Sequence, residues 1–516
     1  MTNTTTTRRL FLSNLCALPL VYYPSKIWAK PNFDKYPFSL GVASGYPAAN
    51  SVAIWTRLAP EYLAPGGGMP PETVMVRYEV AEDQNFKSIV QQGEAWAEPQ
   101  FAHSVHTEIF NLAPSRDYWY RFHVGDVTSP AGKTRTAPPV NSQPDTLRFA
   151  FASCQNYEQG YYGAYRHMAD ENLDLVLHLG DYIYESSWGE NKVRSHASPE
   201  PTTLDDYRAR YALYKSDPNL QAAHAAFPWV AIWDDHEVDN DYADDRSEYS
   251  DDPRWFILRR AAAYQAWYEH MPVRRSMVPF DGYARIYTHL QYGKLAEFYL
   301  IDDRQFRSSQ PCPKPGRGGG NFVENCADRL NPKATLLGER QESWLNAKFS
   351  SSKAKWNVLA QQTLMAQADR KIGEGQIFYT DNWDGYPAAR ERLMDAITTT
   401  KLANPIVIGG DVHSYWVTDL KRDFNRADSP VVATEFCGTS ITSASIAEDI
   451  IQGAKSEGPH IKFATGLYRG YTVMSVTNDN IKADFRIVEN HRDPNTNVKT
   501  LASFIVADGK PGAFTA

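Results

Sequence analysis

Side chains that can bind metals or move protons follow four apolar segments of this sequence, each at the point where the apolar run ends. The motifs read ASCQNY, HLGDYIYE, IWDDHEVDND and IGGDVHSYW. A single aspartate after a buried strand is usually a helix cap or a turn residue. Four such ends that together carry thiol, carboxylate, phenol and imidazole groups favour a metal site instead, because these are ligand types of transition metals. The candidate residues are Cys154, Asp181, Tyr184, Asp235, His236, Asn240, Asp411 and His413.

The segments that carry these motifs predict an α/β layered fold over residues 147–500. Apolar runs such as LDLVLHLGD, WVAIWDDHE and NPIVIGGDVH predict buried strands, and helical segments such as GAYRHMADE lie between them. Ligands of such folds gather at the carboxyl ends of strands, which is where the four motifs fall. Asp411 and His413 are separated by one residue, so both can point from one face of an extended segment into one site.

An all-β domain is predicted before the α/β part, over residues 38–139. Short alternating runs such as SVAIWTRL, TVMVRYEV and YWYRFHVG are separated by turn segments such as APGGGMPPE. This spacing is typical of an antiparallel β-sandwich of immunoglobulin or fibronectin-III type. The region has no cluster of acids, bases or ligands, so we expect it to be structural or to cover the other domain.

Length and charge narrow the class of protein. The chain has 516 residues, 22% of them charged, with a mean hydropathy of -0.50. That length predicts more than one domain, since single cores stop growing near about 250–300 residues. The formal net charge of -8 argues against a protein that coats nucleic acid. No internal run of about 18 apolar residues is present, so we expect no transmembrane anchor in the mature protein.

The first 29 residues have the features of an export signal. Arg8 and Arg9 form a twin-arginine pair, and a short apolar stretch follows. We predict a twin-arginine signal peptide over 1–29 with cleavage after Ala29, export by the twin-arginine machinery, and a periplasmic or extracellular location. The alternative is a cytosolic N-terminal tail with a chance arginine pair.

Two cysteines flank a loop that is too rich in glycine and proline for regular structure. Cys312 and Cys326 bound the segment CPKPGRGGGNFVENC. In an oxidising compartment this pair predicts a loop-closing disulfide, and the alternative is two unpaired thiols. Cys437 lies in an apolar run and is expected to be an inert core residue.

With these motifs, the sequence resembles the PhoD-like alkaline phosphatases of the calcineurin-like metallophosphoesterase superfamily, over nearly its whole length. The superfamily's usual motifs are Asp-x-His, Gly-Asp, Gly-Asn-His-Glu and Gly-His-x-His. This chain departs from them in the manner of the PhoD-like branch. Cys154 replaces the first Asp, Asp235 replaces the Asn, and Asp411 replaces the first His of the last motif. The resemblance implies a four-layer metallophosphoesterase-type β-sandwich flanked by helices, preceded by the all-β domain.

The resemblance also implies two metal sites. One is an Fe(III) site formed by Cys154, Asp181, Tyr184 and His413. Asp181 would bridge to a divalent site completed by Asp235 and Asp411, with Asn240 as a further ligand. The chemistry agrees, because thiolate and phenolate stabilise Fe(III), whereas an all-oxygen carboxylate site suits Ca(II). The residues do not determine the identity of the divalent metal.

The implied reaction is hydrolysis of phosphate monoesters, diesters or both, on small-molecule or polymeric substrates. A metal-bound hydroxide would attack phosphorus in line, and His236 would act as general acid or stabilise charge on the phosphoryl group. Arg208 and Arg304 are candidates for binding phosphate, and both are also ordinary surface or packing candidates.

Two other functions remain as alternatives. One is a non-catalytic cell-surface binding protein on the same scaffold, which predicts a broken metal set. The other is an iron-dependent oxidase, and no flavin or haem motif supports it.

Overall fold

The structure, a computed structural model, describes residues 33–516. The predicted signal peptide, with Arg8, Arg9 and Cys16, lies outside the described residues. Among the described residues, no helix is both long and apolar enough to cross a membrane.

The N-terminal part of the described chain is built from strands. Their bounds are β1 Val42–Ala48, β2 Ser51–Arg57, β3 Val74–Ala81, β4 Ile89–Ala97, β5 Ser104–Ile109, β6 Asp117–Val124, β7 Val127–Thr128 and β8 Gly132–Arg135.

The remainder of the chain alternates strands with helices in its central part and ends in strands. The strands are β9 Thr146–Ala152, β10 Leu175–His178, β11 Pro228–Ala231, β12 Thr288–Tyr292, β13 Ala296–Leu300, β14 Phe322–Val323, β15 Trp356–Ala360, β16 Phe378–Tyr379, β17 Pro405–Gly409, β18 Tyr415–Lys421, β19 Val431–Cys437, β20 Ile461–Thr465, β21 Arg469–Thr477, β22 Asn480–Val488, β23 Val498–Ala507 and β24 Lys510–Thr515. The helices are α1 Gly163–Ala169, α2 Leu204–Lys215, α3 Pro218–Ala226, α4 Pro253–His270, α5 Gly338–Ser351, α6 Pro387–Thr400 and α7 Glu448–Glu457.

Two large sheets form the centre of the molecule. Within residues 33–516, the first has the strand order β24-β23-β22-β21-β9-β10-β11-β1-β2-β5, and the second has the order β12-β13-β15-β17-β19-β18-β20. The middle strands of both sheets run parallel, as in β9-β10-β11 and β15-β17-β19. These strands are buried on both faces, which explains their continuous apolar runs.

The two sheets share one hydrophobic core. Phe149 of β9 meets Phe298 of β13 with ring centroids 5.1 Å apart, and Tyr415 of β18 stacks on Phe485 of β22 at 4.2 Å. On the outer face of the second sheet, α5 and α6 pack through residues such as Phe349. Helices α1 to α4 pack with the first sheet. This layering of helix, sheet, sheet and helix agrees with the predicted four-layer fold.

The predicted N-terminal β-sandwich is present, but it shares a sheet with the α/β part. Strand β1 pairs in parallel with β11, through Ser44 with Pro228 and Gly45 with Trp229. Strands β1, β2 and β5 therefore extend the ten-stranded sheet and also face the small sheet β4-β3-β6-β7 across a common core. Gly45 is required at this seam, because a Cβ there would lie 2.2 Å from the carbonyl oxygen of Pro272.

Two sequence predictions about the loop and the tail can be compared with the structure. The disulfide between Cys312 and Cys326 is formed, which confirms that prediction, and Cys437 is a buried free thiol. The C-terminal tail forms β23 and β24 at the edge of the first sheet. Strand β23 crosses the predicted boundary at residue 500, and the sheet continues to Thr515.

Candidate metal centre

The candidate residues follow strands that end at a common edge of the two sheets. Cys154 follows β9, Asp181 follows β10, and Asp235 follows β11, and these three strands are parallel neighbours. Asp411 and His413 follow β17 of the second sheet. Because the carboxyl ends of parallel strands meet at one edge, residues distant in sequence lie side by side.

The backbone turns sharply at four of these residues. Cys154, Asp181, Asp411 and His413 have φ values of 60°, 56°, 63° and 52°. This left-handed conformation costs a non-glycine residue roughly 1–2 kcal/mol. Hydrogen bonds between loops hold two of the turns, since the N–H of Cys154 donates to Gly180 O at 3.1 Å and the N–H of Gln155 donates to Asp181 O at 3.1 Å.

One cluster joins the four side chains predicted for the iron site. Ligand atoms of Cys154, Asp181 and His413 lie within 4.8 Å of one another. The Tyr184 hydroxyl donates to Asp181 Oδ2 at 2.7 Å and lies 3.1 Å from His413 Nε2. His413 Nδ1 is 2.7 Å from Ala444 O, so the Nδ1–H group donates a hydrogen bond to this carbonyl. Nε2 is the ring nitrogen that faces the cluster.

A second cluster shares Asp181 with the first. Atoms of Asp181, Asp235 and His236 lie within 4.8 Å of one another, as do those of Asp234, Asp235 and Asp411. Asp181 Oδ1 is buried and has no hydrogen-bond partner within residues 33–516. A buried carboxylate oxygen without a partner is costly, and a cation would satisfy it. The donor set therefore fits bound cations, and Asp181 is common to both clusters.

Burial and neighbouring negative charges raise the pKa values of several of these groups. Burial raises the pKa of the Cys154 thiol well above its usual value, and the charge of Asp181 adds to the effect. Burial likewise raises the pKa values of Tyr184 and Asp411 well above their usual ranges. Metal binding needs these groups as anions, so it is expected to release protons from them.

Arg304 offsets part of the negative charge beneath the cluster. Its guanidinium is fully buried and donates to Asp234 at 2.5 Å and to Asp381 at 2.7 Å. Burial acts to raise the pKa of Asp235, but the charges of Arg304 and His236, together with a hydrogen bond from the N–H of Asp241, outweigh it and the pKa is lowered. Arg304 therefore acts on the acidic cluster itself through these ion pairs.

His236 is held by a carboxylate that was not among the predicted site residues. Its Nδ1 is 2.7 Å from Glu185 Oε2, and the two side chains are nearly buried. The His236 ring also packs on Tyr184, with centroids 4.2 Å apart. Burial acts to lower the pKa of His236, but the negative charges of Glu185, Asp235 and Asp181 together outweigh it, and the pKa is raised well above its usual value. Because Glu185 occupies Nδ1, Nε2 is the nitrogen available to a ligand.

A cavity of about 640 Å³ opens onto the metal centre. Its walls include Asp235, His236, Asp411 and His413, which places both clusters within reach of a ligand in the cavity. Asn240 also lines the cavity, with its side-chain amide donating to Glu248 at 2.8 Å.

Arg208 is a predicted site residue that lies neither in the two clusters nor on the wall of this cavity. Its guanidinium forms an ion pair with Glu269 of α4 at 2.6 Å and donates to Gln100 O at 2.9 Å. The guanidinium is thereby held against α4 and the N-terminal part of the chain. The prediction that Arg208 binds substrate is therefore not supported.

Several contacts of the site could not be found in the sequence motifs. Thr363 donates to Asp411 Oδ2 at 2.5 Å, and Ser443 donates to the Tyr184 hydroxyl at 2.8 Å. Neither residue stands in a distinctive pattern. Glu185 could have been found, because it ends the motif HLGDYIYE directly after Tyr184.

Two protein-family models match this sequence. The model described as PhoD-like phosphatase matches residues 149–485, and the model described as PhoD-like phosphatase, N-terminal domain, matches residues 24–138. The chain is also similar to alkaline phosphatase D from Bacillus subtilis (strain 168). The two are 48% identical over 495 residues, which covers 94% of this chain and 83% of the relative.

Two solved structures resemble the chain in fold. One is described as the structure of PhoD and matches with a TM-score of 0.90 and 47% identity, covering 94% of this chain and 93% of that chain. The other is a purple acid phosphatase from yellow lupin (Lupinus luteus) seeds, with a TM-score of 0.56 and 10% identity, covering 90% of this chain and 74% of that chain. At 10% identity the second likeness shows the fold alone. Together with the N-terminal family model, these likenesses confirm the predicted fold class.

Dialysis against EDTA is expected to lower the Tm of the protein by roughly 5 °C, because bound cations stabilise the folded state by mass action and screen crowded carboxylates. Calorimetry of treated and untreated protein measures the shift. An Asp181→Asn variant should show a smaller shift. The control Asp395→Asn, which removes a surface carboxylate paired with Arg422, should keep the full shift. An EDTA-independent Tm in the unmutated protein would contradict a metal site here.

Proposed function

This chain is a member of the PhoD-like phosphatase family, and from that membership we propose that it is an exported, metal-dependent enzyme that hydrolyses phosphate monoesters, diesters or both. The family resemblance first noted in the sequence motifs is thereby confirmed, and the chain is a phosphatase. The main support for metal dependence is the position of Asp181. This residue is shared by two donor clusters, and one of its buried oxygen atoms has no hydrogen-bond partner in the described chain.

The proposed metals are Fe(III) and a divalent ion, which we take to be Ca(II). Cys154, Asp181, Tyr184 and His413 would hold the iron, since thiolate and phenolate suit a trivalent ion. Asp181, Asp235 and Asp411 would hold the divalent ion through oxygen atoms, with Asn240 as a further ligand at the cavity wall. The close approach of these side chains supports the assignment.

The proposed mechanism uses residues around these metals. When bound, the cations neutralise phosphoryl oxygens and lower the pKa of a water molecule that can serve as nucleophile. His236 would donate a proton from Nε2 to the leaving oxygen, because Glu185 holds Nδ1 and so fixes the ring. Arg304 would keep Asp234 and Asp381 in place beneath the centre.

The alternatives have less support. A non-catalytic binding protein would be expected to lack part of the metal set. The short distances among Cys154, Asp181, Tyr184, Asp235, Asp411 and His413 support an intact set instead. Family membership also favours phosphate-ester hydrolysis over iron-dependent oxidation. We propose that the metallophosphatase catalytic domain is the predicted α/β part, extended from residue 500 to Thr515 to include the last two strands.

The proposed location is periplasmic or extracellular, reached through the twin-arginine machinery. The Arg8–Arg9 pair and the apolar stretch after it support this route. The disulfide between Cys312 and Cys326 supports an oxidising destination, because such bonds are rare in the cytosol.

Replacement of both Arg8 and Arg9 by lysine is expected to leave the precursor in the cytoplasm, because the export machinery reads the arginine pair. Immunoblots of cell fractions measure the distribution. Replacement of Lys26 by arginine is the control and should leave export unchanged. Export of the double lysine variant at the normal level would contradict the proposed route.

A Tyr184→Phe variant is expected to lose a visible absorption band that the unmutated enzyme shows, because a phenolate on Fe(III) gives a charge-transfer band and phenylalanine cannot. Absorption spectra and metal analysis test this together. Tyr182→Phe is the matched control, since it removes a nearby buried phenol that bonds to His224 at 2.7 Å. A colourless, iron-free but active wild type would overturn the iron assignment and leave the phosphatase activity intact.

A His236→Asn variant is expected to reduce kcat by about 10²–10⁴-fold, and Glu185→Gln by about 10–100-fold, because the first removes the proton donor and the second its support. The loss should be larger on an alkyl phosphate than on p-nitrophenyl phosphate, whose leaving group needs less protonation. His123→Asn is the control, because it disrupts an imidazole–carboxylate pair with Glu79 outside the cavity. Equal losses on both substrates would contradict the acid role and favour charge stabilisation.

A further inference from the structure

A second positively charged group faces the cavity and has no role in the mechanism above. Arg370 lines the cavity, and its Nε and Nη1 atoms are buried without a hydrogen-bond partner in the described part of the chain. A partly buried guanidinium with two buried donor atoms left unsatisfied is costly. Such a group indicates a ligand with an anionic group that accepts hydrogen bonds from the guanidinium.

Other arginines near the cavity have carboxylate partners. Arg304 pairs with Asp234 and Asp381, Arg390 pairs with Asp384 at 2.8 Å, and Arg317, also on the cavity wall, pairs with Glu248. Burial lowers the pKa of Arg370, and the acidic group that opposes this is Asp384, which is already bound to Arg390. Arg370 therefore takes no part in the ion pairs formed by these arginines.

The position of Arg370 is fixed by its loop and by an aromatic ring. Its N–H donates to Ile377 O at 2.8 Å, and Asp369 Oδ1 accepts from the N–H groups of Lys371 at 3.0 Å and Ile377 at 2.9 Å. These bonds close the segment 369–377, which leads into β16. The guanidinium lies 5.4 Å from the centroid of buried Trp416. A guanidinium held in this way loses little freedom when it binds a planar or tetrahedral anion.

We propose that Arg370 binds a second anionic group of the substrate, carried on the alcohol portion of the ester, while the phosphoryl group to be cleaved lies at Asp235 and His236. The proposal rests on the proposed phosphoesterase function and adds a substrate class to it, namely esters with a second negative charge. The cavity of about 640 Å³ that joins Arg370 to the metal centre has room for both groups. Arg370 is thus a specificity-determining residue.

The test compares matched substrates that differ only in the second charge. Two series of p-nitrophenyl alkyl phosphodiesters, one ending in a sulfonate and the other in a methyl sulfone, are prepared over a range of alkyl chain lengths. The full-length enzyme with its metals is assayed by release of p-nitrophenolate. At one chain length, kcat/KM is expected to favour the sulfonate by about 10–100-fold, the range of a charge-assisted hydrogen bond.

An Arg370→Met variant is expected to lose this preference, with a much smaller change on the sulfone substrate, and Arg370→Lys should recover part of it. Arg317→Met is the matched control on the same cavity, and it should keep the preference because Glu248 already neutralises Arg317. Tm values identify any variant that fails to fold, in which case the lysine variant decides.

Two results would overturn the proposal. One is an unmutated enzyme without sulfonate preference at any chain length, and the other is an equal loss on both series in the methionine variant, which would place Arg370 at the cleaved phosphate. Failure of the proposed function has a different outcome, since the unmutated protein would then release no p-nitrophenolate from either series or from p-nitrophenyl phosphate. Hydrolysis of p-nitrophenyl phosphate alone would overturn only the proposal about Arg370.

Discussion

The concentration of buried negative charge at one sheet edge is the constraint on which the rest of this structure depends. Asp181, Asp235 and Asp411 lie beside a buried thiol and a buried phenol, and the pKa values of Cys154 and Asp411 are raised because the charged forms are disfavoured there. Arg304 supplies one compensating charge from below. Bound cations would supply the remainder, so metal binding and the stability of the folded site are linked in this protein.

The fold provides the rigidity that such crowding needs. Strained left-handed turns at Cys154 and Asp411 are tolerable because the buried parallel strands β9 and β17 hold the chain just before each turn. The N-terminal strands contribute as well, since β1 continues the main sheet next to β11, the strand that leads to Asp235. The all-β domain is thus joined to the site through backbone hydrogen bonds and does not act only as a cover.

The cavity has acidic residues at the metal centre and basic residues on its walls. The acidic residues fit cations, whereas Arg370 and His236 are suited to the anionic ester and its leaving group. His236 and Arg370 differ in their contacts. Glu185 fixes His236, whereas no hydrogen-bond partner in residues 33–516 satisfies Nε or Nη1 of Arg370. Proton transfer and substrate selection would therefore depend on different residues and can be separated by mutation.

The sequence by itself determined the features that follow from local pattern. These include the α/β and all-β halves, the disulfide between Cys312 and Cys326, and the donors at the strand ends, because apolar periodicity and strand-end position are local properties. Only the tertiary structure decided which donors share Asp181, that Glu185 holds His236, that Arg208 pairs with Glu269 away from the cavity, and that β1 joins the main sheet. Such contacts join side chains far apart in the chain, and their partners are chosen by packing and charge compensation, which no local pattern encodes.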